Sequence, residues 1–176
     1  MLKFDNAVVT FAEVPSEVTL CFEITGCKIH CPDCHSKHLW EDIGSELRPI
    51  VLSSIIARNP GITCVAFMGG DHSPEDIYKL AKWIKNNTEL KVCWYSGAKL
   101  REDFSQHIGD FDYLKTGPYR KELGGLDSVT TNQRFYQIKY REIKTIRGSV
   151  TESYHYLEDI TNKFWKDVGN SEDDQE

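Results

Sequence analysis

Between residues 18 and 25, Val18, Leu20, Phe22 and Ile24 alternate with Thr19, Cys21, Glu23 and Thr25, the period-two pattern of a half-buried strand. A strand-like run at 8–14 precedes it, and Pro15-Ser16 between the two predicts an opening antiparallel pair. Leu52, Ile55 and Ile56 then fall at helical spacing within 49–58, and Asn59-Pro60-Gly61 terminates that helix. Residues 62–68 form a short, continuously apolar run of the kind used by a buried parallel strand, ending in Gly69-Gly70-Asp71. Ser73-Pro74-Glu75-Asp76 reads as a helix start, with a hydroxyl cap, proline at the first helical position and acids where the helix dipole favours them. Ile77, Leu80, Ala81 and Ile84 continue it at i, i+3, i+4 and i+7. Strand patterns at 91–96 and 111–116 follow, with a weaker helical pattern at 99–107 between them.

Strands alternating with helices predict an α/β fold with a parallel sheet and right-handed crossovers. At 176 residues the chain suits one domain, assigned to 1–168. Residues 169–176, with Glu172, Asp173, Asp174 and Glu176, read as a disordered acidic tail. Composition changes this picture little, since 40% hydrophobic and 27% charged residues are ordinary for a globular chain. The net charge of −6 disfavours generic adhesion to nucleic acid or anionic membranes. No apolar run at the amino end resembles a signal peptide, and no stretch approaches the ~20 apolar residues of a membrane span. The expectation is a cytoplasmic protein with no direct nucleic-acid partner and no membrane. In a reducing compartment, six cysteines read as metal ligands plus buried thiols, and Cys64 and Cys93 lie in apolar runs.

The chemistry concentrates in Thr25-Gly26-Cys27-Lys28-Ile29-His30-Cys31-Pro32-Asp33-Cys34-His35. Glycine before the first cysteine and proline after the second predict a compact loop. A C-x3-C-x2-C loop can point three thiolates at one centre. A cubane 4Fe-4S cluster ordinarily takes four thiolates, so three would leave one iron open to a group that is not protein. Cys21 does not supply the fourth: six strand residues span roughly 20 Å when extended. His30, His35 and His38 are nearer, and a Cys3His zinc site is the competing reading. The cysteine loop and Gly69-Gly70-Asp71 both follow strands, so both fall beyond strand carboxyl ends, where α/β sheets bind ligands.

C-x3-C-x2-C after one strand and Gly-Gly-acid after another resemble the radical S-adenosylmethionine (SAM) enzymes. Further segments resemble one branch, the activating proteins of anaerobic ribonucleoside-triphosphate reductase. These are Val9-Thr10-Phe11-Ala12-Glu13-Val14-Pro15, Phe67-Met68-Gly69-Gly70-Asp71, Tyr113-Leu114-Lys115-Thr116-Gly117-Pro118-Tyr119, Glu122-Leu123-Gly124-Gly125-Leu126 and Thr130-Thr131-Asn132-Gln133-Arg134-Phe135-Tyr136. Ile160-Thr161-Asn162-Lys163-Phe164-Trp165 resembles that branch's carboxyl end.

The resemblance implies a partial, open parallel α/β barrel. It implies a 4Fe-4S cluster on Cys27, Cys31 and Cys34, with the open iron chelated by the amino and carboxylate groups of SAM. It places Gly69 and Gly70 near the methionine end, Asp71 on the motif or the ammonium, and Asp33, Cys34 and His35 against the adenine side. It also implies reductive SAM cleavage to methionine and a 5′-deoxyadenosyl radical, which makes a glycyl radical on the large reductase subunit. The electron would come from a carrier such as flavodoxin or ferredoxin. The open side of the barrel would admit the partner's glycine.

Three departures stand out. His35 replaces an aromatic residue, Asp33 replaces a small one, and His72-Ser73 intervenes before Pro74. His72 reads as a solvated loop residue. The basic run Arg134, Lys139, Arg141, Lys144 and Arg147 reads as a solvated strand face, with an insertion expected between residues 139 and 157. Other readings are an activase of a different glycyl radical enzyme, a small-molecule radical SAM enzyme, or a zinc or electron-transfer module.

Overall fold

A computed structural model describes residues 1–100, 102–144 and 150–165, so the acidic tail at 169–176 and Arg147 lie outside the described residues. Its strands are β1 (Lys3–Thr10), β2 (Thr19–Ile24), β3 (Ser45–Glu46), β4 (Cys64–Met68), β5 (Lys91–Tyr95), β6 (Tyr113–Thr116), β7 (Arg134–Lys144) and β8 (Val150–Asp159). Its α-helices are α1 (Pro49–Ala57) and α2 (Pro74–Asn87). All eight strands form one sheet in the order β3-β1-β2-β4-β5-β6-β7-β8.

The expected partial parallel α/β barrel is not what forms. Only β2, β4, β5 and β6 run parallel. Antiparallel β1 and β3 extend one side, and antiparallel β7 and β8 the other. The result is an open, mixed sheet with two α-helices among the described residues. Two features explain the difference. Between β5 and β6 the anticipated helix at 99–107 is replaced by two 3-10 turns, Glu102–Gln106 and Ile108–Asp110. These bury Phe104 and Phe111 against Trp94 without a full crossover helix. After Thr116, glycines at 117, 124 and 125 punctuate the chain and no helical repeat appears. The chain therefore returns antiparallel, with Arg134 opposite Thr116.

The opening antiparallel pair is present, but β1 begins earlier than the pattern indicates and ends at Thr10. Beyond it the chain bends, leaving Phe11 exposed while Val14 turns completely inward. The sheet's two faces differ. On one, Leu20, Phe22, Val65, Phe67, Val92 and Trp94 pack with Leu52 of α1 and Ile77, Leu80, Ala81 and Ile84 of α2. Each fully buried Leu or Ile contributes about 1.5–3 kcal/mol of hydrophobic stabilisation. Ser73 sits at the α2 amino terminus as expected, yet its hydroxyl bonds the Asp76 carboxylate at 2.9 Å instead of a backbone amide. On the other face a smaller cluster gathers Val14, Cys21, Cys64, Ala66, Cys93, Tyr113, Phe135 and Ile160. Among the described residues, no helix is long and apolar enough to cross a membrane.

Candidate metal centre

The cysteine loop leaves β2 at Ile24 and is stitched to the segment that returns to β3. Thr25 donates its amide to Lys3 O at 3.0 Å and its hydroxyl to Ile43 O at 2.7 Å. The Gly26 and Cys27 amides donate to Glu41 O and Leu39 O, both at 2.9 Å. Gly26 takes φ +72°, which glycine reaches without strain. The Cys34 amide donates to Cys31 O at 3.0 Å, and the Ser36 amide to Cys34 Sγ at 3.4 Å. Cys27, Cys31 and Cys34 are half-buried, whereas Cys21, Cys64 and Cys93 are buried. Burial pushes the Cys21 thiol up to about 12 and raises the other two as well, so these three are suited to remain protonated. Cys21, Cys64 and Cys93 are therefore the buried thiols, and the three cysteines of the loop stay partly accessible.

Gly69-Gly70-Asp71 lies beside this loop because β4 is the parallel neighbour of β2. Trp94 Nε1 donates to Gly69 O at 2.8 Å, and the Gly69 amide donates to Tyr95 O at 2.9 Å. Both glycines have positive φ, and a Cβ on Gly70 would stand 2.6 Å from Ile77 Cδ1. Asp71 accepts from the Ser96 hydroxyl and, at 3.0 Å, from the Gly97 amide. A Cβ on Gly97 would in turn lie 2.9 Å from Ile29 Cγ1 in the cysteine loop. Asp71 thus ties the end of β4 to the end of β5, on which the loop rests. His72 is exposed, as expected, although its ring lies 3.4 Å from where a Gly26 Cβ would be. Partial desolvation of the ring by the neighbouring loop, with Lys28 nearby, holds His72 below the usual histidine range.

On the face away from the helices, a cavity of about 630 Å³ opens beside Cys34, lined among others by His35, Met68, Tyr95, Lys115 and Tyr119. A neighbouring cavity of about 490 Å³ shares Met68 and reaches Cys21 and Glu23. His35 faces Tyr119 with ring centroids 5.1 Å apart. Asp33 is exposed on the loop, and it, Gly69, Gly70 and Asp71 are not among the lining residues.

Lys115 was not singled out by the sequence reading. The residue is 8% exposed, and its ammonium donates to Gly117 O at 2.7 Å. Burial pushes it down to about 8, while Cys31, Asp71 and Cys34 act in the opposite direction and favour its charge. A charged residue inside a short, otherwise uncharged parallel strand was the available signal.

A family model described as a 4Fe-4S single cluster domain matches residues 17–155. The chain belongs to that family. No curated protein and no solved structure matches it. The residues present fit the cluster that defines a 4Fe-4S single cluster domain: three half-buried thiols share one pinned loop, and one of them opens onto a cavity. Among the described residues, no three or more His, Cys, Asp or Glu side chains converge as a single metal ion requires. A cubane does not need that convergence, because each thiolate binds a different iron.

Proposed function

We propose that this 4Fe-4S domain is a radical SAM enzyme that activates the anaerobic ribonucleoside-triphosphate reductase. Cys27, Cys31 and Cys34 hold the cluster, and SAM occupies the cavity beside Cys34. When bound, the two cofactors supply reductive cleavage of SAM to a 5′-deoxyadenosyl radical, the oxidant for a glycine on the large reductase subunit. The electron donor in this reading is a carrier such as flavodoxin or ferredoxin.

The protein's own part is binding and orientation. Lys115 brings a desolvated ammonium to the cavity, where it favours a carboxylate such as that of SAM. His35 and Tyr119 put two rings at the same cavity, beside the third cysteine. Asp71 accepts from Ser96 and Gly97, which supports its role in holding the motif. Asp33 is exposed on the loop and does not line the cavity, so this reading gives it no contact with SAM. The observation that carries the reading is the junction of a half-buried cysteine, a buried lysine and two rings at one cavity large enough for a small molecule.

The test is 5′-deoxyadenosine release from SAM after anaerobic iron–sulfur reconstitution and dithionite reduction. Product is expected from the wild type and none from Cys31→Ala. An intact cluster that yields no product with the reductase present would overturn the radical SAM reading and favour electron transfer.

A further inference from the structure

We propose that Trp40 donates an N–H···S hydrogen bond to the iron–sulfur cluster of Cys27, Cys31 and Cys34, and so makes that cluster easier to reduce. The proposal rests on the cluster assignment above. Trp40 ends the 3-10 turn Lys37–Trp40 that follows the third cysteine. Its two neighbours in sequence, Leu39 and Glu41, accept the amides of Cys27 and Gly26. Its ring stacks on His30, the residue before Cys31, with centroids 4.6 Å apart and planes inclined by 23°. Lys37 Nζ lies 5.6 Å from the ring centroid. The indole is therefore fixed between the segments carrying the first and second cysteines.

Trp40 Nε1 is buried and has no hydrogen-bond partner among the described residues. An indole N–H can only donate, and a buried one normally finds an acceptor. The contrast with Trp94 is direct, since that indole donates to Gly69 O. No cysteine sulfur among the described residues accepts from this indole, so the acceptor in this proposal is a sulfur of the bound cluster, at a loop where the Ser36 amide already donates to Cys34 Sγ. Hydrogen bonds to cluster sulfurs are one lever on reduction potential. A donor stabilises the more negative, reduced state preferentially and so raises the potential.

The test begins with the reconstituted wild type, where about four irons per chain establish the cluster independently of Trp40. Protein that takes up no iron would overturn both readings. Trp40→Phe keeps a ring on His30 and removes the N–H. It should retain iron and become roughly tenfold less favourable to reduce, about 59 mV lower for one electron. It should also lose an exchangeable proton coupling in pulsed EPR of the reduced cluster. An unchanged potential with the same proton coupling would overturn the proposal. Should Trp40→Phe fail to hold iron, wild-type protein labelled with 15N in its indoles decides the matter. A nitrogen coupling to the reduced cluster supports the bond, and its absence overturns it.

Discussion

At their amino ends, the four parallel strands each contribute a group to one closed network. Glu17 precedes β2 and accepts from the Thr63 hydroxyl at 2.6 Å, from the Tyr113 hydroxyl at 2.8 Å and from the Lys91 ammonium. Thr63, Lys91 and Tyr113 stand at the starts of β4, β5 and β6. At the carboxyl ends of the same strands the groups are less fully paired. Three thiols are half-buried, and among the described residues Lys115 donates to one carbonyl and the Trp40 indole has no partner. One end satisfies its polar groups with protein, which holds the strands in register. The other leaves the Lys115 ammonium and the Cys34 thiol at a cavity, which is where chemistry with non-protein groups belongs.

The largest expected effect would blur that contrast by showing where the open end is also structural. Gly70 combines φ +92° with a virtual Cβ 2.6 Å from Ile77 Cδ1. Gly70→Ala adds backbone strain to overpacking against α2 and should cost about 3 kcal/mol, measured by urea unfolding. A loss below about 1 kcal/mol would mean that α2 yields easily and that Gly70 answers to the ligand alone.

The closed end gives the next effect. Burial by itself would raise the Glu17 carboxyl, but hydrogen bonds from Lys91, Thr63 and Tyr113 outweigh it and hold the group below its ordinary value. A depressed carboxyl adds stability above its unfolded value, about 4.3, and that gain fades as pH falls through the folded value. Glu17→Gln should therefore cost about 2 kcal/mol at neutral pH, with the gap to wild type narrowing in acid. A gap that stays constant with pH would remove the charge from the explanation.

Lys115 sharpens the comparison because stability and function should move in opposite directions. Replacing a buried ammonium by an apolar chain of similar length is often neutral or stabilising. Lys115→Met should leave stability unchanged or about 1 kcal/mol higher while weakening SAM binding at least tenfold, read by equilibrium dialysis on the reconstituted protein. Unchanged binding would assign the lysine to the fold and not to the cavity.

Much of the fold was legible because α2 carries its burial in local periodicity and β4 is a continuous apolar run, whereas β2, expected to be half-buried, buries Thr19 and Cys21 on its second face as well. Ile77, Leu80, Ala81 and Ile84 are all buried on the face their spacing predicts. The cysteine loop and Gly69-Gly70-Asp71 were placed at one edge by strand order, and the sheet register agrees. What stayed hidden depends on distant pairs. His35 and Tyr119 meet across the cavity with no local pattern linking them. Two-residue β3 is too short to show a period. The basic run in β7 does form a strand, and Arg134 and Lys139 pair with Asp159 and Glu158 of β8. Its polar residues fall on both faces, so the strand's length and its antiparallel partner were not readable. The barrel expectation failed because resemblance supplied crossover helices that residues 97–133 do not encode.

The smallest change in stability belongs to Gly97, and it separates holding the fold from holding the cluster. A Cβ there would stand 2.9 Å from Ile29 Cγ1 and 3.3 Å from Cγ2, both on the cysteine loop. The loop side chain can give way more easily than the sheet, so Gly97→Ala should cost no more than about 1 kcal/mol in unfolding free energy. The displacement then falls on the segment between Cys27 and Cys31. Iron should be lost faster to a chelator, at a rate several-fold above wild type. Ile29→Ala in the same chain removes both crowded carbons and should restore retention, since the two positions share one contact. If the double variant loses iron as fast as Gly97→Ala alone, the coupling of Asp71 to the cysteine loop through Gly97 does not exist. The open end would then be held by the Gly26 and Cys27 backbone bonds alone.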